Sequence, residues 1–190
     1  MFGLIAAALL AVQAPAEPVA DNKELAAMYE ADQAIRTGLK PDWHKDMDFV
    51  RRMWTADARR RERVRALLKE GAVRTGADHH HAAYIFQHGG MPADHLLAHA
   101  LATAAMAKGR AESGWIAAAT LDRYLQGIGQ PQIYGTQYTR PPGAEATMDP
   151  YDRALVPDAV RVAMGVRTQA EQEARRAEMN APRPATAPAR

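Results

Sequence analysis

The fold is constrained most by residues 78–127, where three segments with helical spacing follow one another, separated by glycine and proline. In residues 78–88 the apolar side chains fall on one arc at 100° per residue. Residues 92–108 are apolar all round the axis, which is typical of a central helix. Residues 113–127 form the third segment. No stretch of useful length alternates apolar and polar residues as a strand would, so the pattern predicts an all-α protein.

Three further helices are predicted outside this stretch, over residues 21–37, 41–70 and 158–178. Asp21 is the candidate N-cap of the first, and Pro41 and Asp42 begin the second. A chain of 190 residues is expected to form one domain with a sizeable core. We therefore expect a compact single-domain bundle of about five to six helices, with an ordered Gly/Gln-rich loop after the fifth.

The two ends of the chain have compositions unlike the middle. Residues 1–14 resemble a secretory signal, because their apolar core is too short to span a bilayer and ends in a small-x-small site. The absence of Lys and Arg before that core is atypical. Residues 15–20 are then a flexible lead-in, 21–178 the domain, and 179–190 a Pro/Ala-rich disordered tail. The interpretation predicts a periplasmic or secreted protein without a stable membrane span after signal removal.

Composition excludes several classes of function. The chain has no cysteine, which excludes disulfides, a thiolate nucleophile and a cysteine-linked lipid anchor. Its formal net charge is only +2. The arginines of residues 51–65 are spread around the helix axis among acids, without an aromatic platform, so we expect no nucleic-acid partner. No nucleotide loop or cofactor motif is present, and we expect no cofactor.

Asp122 lies on the apolar side of its helix, and the loop that follows is rich in amides. A buried carboxylate needs a cation or several N–H donors, because an unpaired buried charge costs several kcal/mol. Asp122 is thus either an internal support or an acid that lines a pocket. Tyr134, Thr136 and Gln137 offer a phenol, a hydroxyl and an amide, either for a ligand or for pinning the loop to its own scaffold.

Histidines are the other candidates for chemistry. His88 is a candidate acid/base at the end of its helix. The run from His79 to His81 reads most simply as a solvated helix face. His95 and His99 are spaced i, i+4, which can share a metal, but this spacing alone is a weak signal and we assign no metal site.

The combination of Gln87-His88, Asp122-Arg123 and Tyr134-Gly135-Thr136-Gln137 resembles a bacterial family of unknown function, the one numbered 6624 among such families. The resemblance covers roughly residues 22–175. Looser matches to the family pattern are Asp32, Gln33, Arg36, Asp57, Arg60, Asp158, Arg161 and Gly165. Family members often have an acid soon after the Gln-His, whereas this chain has two glycines. The resemblance implies a mostly helical fold and polar residues that converge on one site, and it implies no reaction.

The resemblance changes the interpretation of one charged pair, and a second pair bears on the burial of Asp122. Asp32 and Arg36 are spaced i, i+4, which alone predicts a surface pair. The resemblance instead implies that Asp32 faces inward. Asp57, Arg60 and Arg61 interrupt the apolar stripe of their helix, and the pair of Asp57 and Arg60 is a candidate for the cation that Asp122 needs.

Two main functions remain open. One is an envelope enzyme of hydrolase or group-transfer type. In it His88 is the acid/base, Asp122 or Asp57 orients it, Arg60 or Arg123 holds an anionic group, and Tyr134, Thr136 and Gln137 fix the substrate. The alternative is a non-catalytic helical module that binds a small molecule, peptide or protein. A metal-binding protein is a third hypothesis, with ligands from His79, His80, His81, His95 and His99.

Overall fold

A computed structural model describes residues 19–181 and has seven α-helices within that range. No strand forms between residues 19 and 181, where two isolated bridges join Gln132 to Tyr151 and Thr139 to Thr147. The all-α prediction is therefore confirmed. The helices are α1 (Lys23–Thr37), α2 (Met47–Lys69), α3 (Gly76–Phe86), α4 (Pro92–Ala107), α5 (Gly114–Gly127), α6 (Asp158–Ala163) and α7 (Gln169–Asn180).

Helix starts differ from the sequence prediction at α1 and α2. Asn22, not Asp21, caps α1, because its side chain accepts the backbone N–H of Leu25. The segment after Pro41 first forms a short 3₁₀ helix, Trp43–Lys45. Asp46 then caps α2. In both places a side chain one to five residues further along satisfies the first free N–H groups.

The last predicted helix is two helices. Gly165 has a backbone φ of +69°, which an L side chain rarely adopts, and the chain turns there after α6. Thr168 and Glu171 then form a capping box that starts α7.

Helix α4 packs against α3 on one side and α5 on the other. The contact surfaces are built largely from alanine, which lets the helix backbones approach closely. Fully buried members of this core include Ala82, Ala83, Ala98, Ala102, Ala117, Phe86 and Ile116. α1 and α2 lie against α3, so the C-terminal end of α3 and the residues after it are reached from several helices.

The predicted signal segment (residues 1–14), most of the predicted lead-in (15–20) and residues 182–190 of the predicted tail lie outside the described residues. Met179 and Asn180 are the last two residues of α7, so the prediction that the disordered tail begins at residue 179 is wrong. Among residues 19–181, every helix is too short or too polar to cross a bilayer.

The start of α3 depends on Asp78, which is buried and accepts the N–H groups of Asn22, Arg74 and Thr75 at 2.7, 2.9 and 3.0 Å. Burial acts to raise the pKa of Asp78, but the N–H donors outweigh it and hold that pKa below its ordinary value. The carboxylate therefore ties α1 and the α2–α3 turn to the first turn of α3.

Asp78→Asn should lower the free energy of unfolding at pH 7 by about 1–3 kcal/mol. The wild-type advantage is full above the pKa of an unfolded aspartate, about 3.9, and is lost as pH falls through the lower pKa of the folded state. Urea unfolding from pH 7 to pH 3 measures both effects. The exposed Asp42→Asn is the matched control, and equal stability of the two variants at pH 7 would contradict the assignment.

Candidate functional site

A buried cluster of four charged side chains joins α1 to α2. Arg36 Nη1 is 2.7 Å from Asp32 Oδ1, and its Nη2 is 2.9 Å from Asp57 Oδ2. Arg60 Nη2 is 2.6 Å from Asp57 Oδ1 and 3.3 Å from Asp32 Oδ1. Asp32 is only 1% exposed and Asp57 5%. Two carboxylates and two guanidinium groups cancel in charge, so the cluster, hereafter the Asp32–Arg60 cluster, is buried without net charge.

His88 extends this cluster towards solvent. Its Nε2 is 3.4 Å from Asp32 Oδ2, and its side chain is 20% exposed. This Nε2 atom is buried and makes no hydrogen bond to any of the residues described. Gln33 Nε2 donates to the same Asp32 oxygen at 2.9 Å. The imidazole therefore lies beside a fixed carboxylate, with its Nε2 within ion-pair distance of Asp32 Oδ2.

A cavity of about 380 Å³ opens over this histidine. Its volume is at the small end of the range for small-molecule sites, roughly 300–1,000 Å³. The lining residues are Trp54, Asp57, Arg61, His88, Gly89 and Gly90.

Helix periodicity and a glycine turn assemble the cavity. Trp54, Asp57 and Arg61 are spaced i, i+3, i+7, so they share one face of α2. Gly89 lies in the turn after α3, and a Cβ atom there would lie 2.2 Å from the Cβ of Asp94, so no larger residue fits. The two glycines leave the cavity mouth without side chains.

Asp122 is not part of this cavity. It is 0% exposed and accepts the backbone N–H groups of Ile133, Tyr134 and Thr136 and the Thr136 hydroxyl, at 2.7–3.0 Å. Both of its oxygens are therefore used within the protein. The expectation that Asp57 and Arg60 supply a cation to Asp122 is wrong. N–H and O–H dipoles stabilise the Asp122 carboxylate instead, and Arg60 is paired with Asp32 and Asp57.

Arg123 and Gln137 hold the backbone next to His88. Arg123 Nη1 donates to the carbonyl and side-chain oxygens of Gln87 at 3.1 and 3.2 Å, and its Nε donates to Gln137 Oε1 at 2.9 Å. Arg61 Nη1 donates to the His88 carbonyl at 2.9 Å. The loop after α5 thus fixes the end of α3 through Gln87, one residue before the histidine.

Tyr134 and Thr136 contribute mainly backbone and hydroxyl groups to the same support. The Tyr134 carbonyl accepts from Gln172 Nε2 at 2.7 Å. Burial raises the pKa of the Tyr134 phenol. Among the sequence candidates, the structure brings Asp57, Arg60 and His88 together in one group, and Asp122, Arg123, Thr136 and Gln137 in another. Arg161, from the looser matches, is buried and donates to Tyr151 Oη at 3.1 Å and to Asp158 at 3.1 Å.

The histidines proposed as metal ligands are held separately. His79 Nδ1 lies 2.6 Å from the Thr75 carbonyl, His80 Nδ1 lies 2.8 Å from Ser113 Oγ, and His99 Nδ1 lies 2.9 Å from the Ala117 carbonyl. Within residues 19–181, no three His, Asp or Glu side chains are grouped so that they could hold a metal ion. The solvated-face interpretation is wrong for His80, which is buried, and burial lowers its pKa.

Sequence reasoning from spacing missed the central members of the site. The i, i+4 spacing of Asp32 and Arg36 predicts a surface pair, and only the family resemblance implies that Asp32 faces inward. Trp54 is absent from the sequence candidates, and Arg61 enters the sequence analysis only as an interruption of the apolar stripe. The signal that could have found them is the stripe of Trp54, Asp57 and Arg61 on one face of α2.

The chain belongs to the family of unknown function DUF6624, whose model matches residues 20–184. This confirms the resemblance and covers all seven helices. No curated protein and no solved structure matches the chain.

If Asp122 supports the loop after α5, its removal should destabilise the protein more than the removal of any one of its donors. Asp122→Ala removes the fully buried acceptor shared by four donors. It should cost about 3 kcal/mol or more of unfolding free energy, whereas Thr136→Val removes one donor and should cost about 1 kcal/mol. Denaturant unfolding gives the ranking, and hydrogen exchange at the Ile133, Tyr134 and Thr136 amides should accelerate in Asp122→Ala. Unchanged exchange at those amides would show that another contact holds the loop.

Proposed function

We propose that this member of the DUF6624 family is an enzyme of hydrolase or group-transfer type, in which His88 is the general acid and base. The observation that carries the proposal is the position of the imidazole between a buried carboxylate and a cavity: Nε2 is 3.4 Å from Asp32 Oδ2, and the ring lines the cavity. A base oriented by a carboxylate is the arrangement that such reactions use repeatedly.

The proton transfers follow from the ring geometry. With Nε2–H directed at Asp32, Nδ1 is the nitrogen left for a ligand. Nδ1 would take a proton from a water or hydroxyl nucleophile, and the imidazolium so formed would be stabilised by the Asp32 carboxylate. The same proton would then pass to the leaving group. This step is typically worth about 10²–10⁴-fold in rate.

The Asp32–Arg60 cluster keeps Asp32 available for this role. Arg36, Arg60 and Gln33 hold its two oxygens in place. A carboxylate held this firmly orients the histidine ring without having to be repositioned during the reaction. Asp57 and Arg60 therefore act through Asp32, and they are positioning residues in this proposal.

Export completes the proposal. The composition of residues 1–14 supports a signal peptide, and the reaction would then take place in the periplasm or outside the cell. A protein without cysteine suits an oxidising compartment, where a free thiol would be at risk.

One observation favours the alternative, a non-catalytic helical binding or interaction module. Asp122, Arg123 and Gln137 all make internal contacts, so these three polar residues of the family pattern build the scaffold. If the Asp32–Arg60 cluster were likewise only a support, the cavity would bind a small molecule or peptide without reaction.

His88→Gln separates the two functions. It should reduce kcat/KM for any substrate found in a panel of chromogenic esters, phosphoesters and glycosides by about 10²–10⁴-fold. The melting temperature should change little, since the side chain makes no hydrogen bond to the described residues.

His44→Gln is the matched control, because His44 is exposed and lies outside the cavity. It should leave both quantities unchanged. Parallel losses of activity and stability in His88→Gln, or full activity, would remove His88 from the chemistry.

A further inference from the structure

The charges around the cavity do not balance. Within the Asp32–Arg60 cluster two carboxylates match two guanidinium groups. Arg61 adds a third guanidinium to the lining, and no described carboxylate lies within ion-pair distance of it. Before His88 takes up a proton, the groups at the cavity therefore sum to one positive charge.

One hydrogen bond fixes the Arg61 side chain and leaves most of its N–H groups without a partner among the described residues. One of its nitrogens, Nη1, donates to the His88 carbonyl at 2.9 Å, which fixes the side chain beside the histidine. Its other N–H groups remain for a ligand, and a guanidinium binds carboxylate or phosphate through two parallel bonds. The sequence candidates for anion binding are unsuited to this, because Arg60 is paired with Asp57 and Arg123 with Gln87 and Gln137.

Trp54 forms the apolar side of the cavity. It is 62% exposed, although it is one of the largest side chains in the protein and lies next to charged groups. It precedes Arg61 by two helical turns on the same face of α2. An indole at this position offers a flat surface on which a ring can stack.

We propose that the cavity takes a small anion whose carboxylate or phosphate is bound by Arg61 and whose planar or ring portion packs on Trp54. The inference rests on the proposed function only in using the same cavity, because binding needs no reaction at His88. It makes Arg61 and Trp54 specificity-determining residues, with the anionic end of the ligand next to the imidazole.

Binding of simple probes tests the inference. Benzoate and phenyl phosphate carry the ring and the charge, benzamide carries the ring alone, and acetate carries the charge alone. Titration of ¹⁵N-labelled protein, followed at the Trp54 indole N–H, gives a Kd for each probe. We expect a ring-bearing anion to bind at least about tenfold more tightly than benzamide or acetate, as expected for one charge-assisted contact. The comparison of benzoate with phenyl phosphate decides between carboxylate and phosphate.

Variants of Arg61, with Arg59 as the control, test whether the Arg61 guanidinium binds the anion. Arg61→Gln should weaken binding of the better anion by about tenfold or more, and Arg61→Lys, which keeps the charge, should weaken it less. Arg59→Gln removes one positive charge from an exposed position of the same helix and should change the Kd by less than about twofold. Trp54→Ala should reduce the advantage of benzoate over acetate. Equal affinity for benzamide, full binding by Arg61→Gln, or no response of the Trp54 indole to either ring-bearing anion would overturn the inference.

His88→Gln distinguishes failure of this inference from failure of the proposed function. The variant should still bind the anion in an Arg61-dependent way. Anion binding without any His88-dependent turnover would leave the inference standing and refute the enzyme. Turnover that depends on His88 but not on Arg61 would do the reverse.

Discussion

The structure depends on one electrostatic constraint, the burial of two aspartates from different helices within reach of each other. Asp32 on α1 and Asp57 on α2 are both nearly inaccessible to solvent. Two buried carboxylates that share the same cations repel each other, so both can be ionised only if positive charges lie between them. Arg36 bridges both carboxylates, and Arg60 does the same from the other helix. Removing either arginine would leave the two buried carboxylates with one positive charge between them, and an uncompensated buried charge typically costs about 3–5 kcal/mol. The cluster therefore fixes how α1 meets α2, and with it the carboxylate beside His88.

A second polar group stabilises the other side of the same histidine by different means. Asp122 organises the loop after α5 through backbone N–H donors, and Gln137 of that loop accepts from Arg123. Arg123 in turn holds Gln87, so the end of α3 is fixed from α5 while Arg61 fixes it from α2. The Asp32–Arg60 cluster and the group of Asp122, Arg123 and Gln137 thus both hold the region around His88, but they do not line the same cavity. Asp122 is 0% exposed and both of its oxygens accept hydrogen bonds within the protein, whereas His88 lines a cavity beside Asp32, which is why chemistry is proposed at His88 and Asp32 and support is assigned to Asp122.

Local patterns predicted the fold well because helix spacing and glycine stops act over a few residues. They predicted helices near α1, α2, α3, α4 and α5, and they identified Asp122 as a carboxylate that must be buried and paired. Local patterns did not predict burial correctly where a residue distant in the sequence covers or pairs with the side chain. Spacing alone could not distinguish an exposed Asp32–Arg36 pair from one buried against Asp57, because the i, i+4 geometry is the same in both. Nor could it tell that His80 would be covered by Ser113, Tyr29 and Tyr84, or that Arg60 would serve Asp32 and leave Arg61 to face the cavity.

The role of Asp32 is tested most directly by the protonation of the His88 ring, which ¹⁵N NMR of histidine-labelled protein reports. If Asp32 orients the imidazole, neutral His88 carries its proton on Nε2, and Asp32→Asn disturbs that preference while the exposed Asp42→Asn does not. Neutral His88 protonated mainly on Nδ1, or a tautomer ratio that is the same in wild type and Asp32→Asn, would contradict the account.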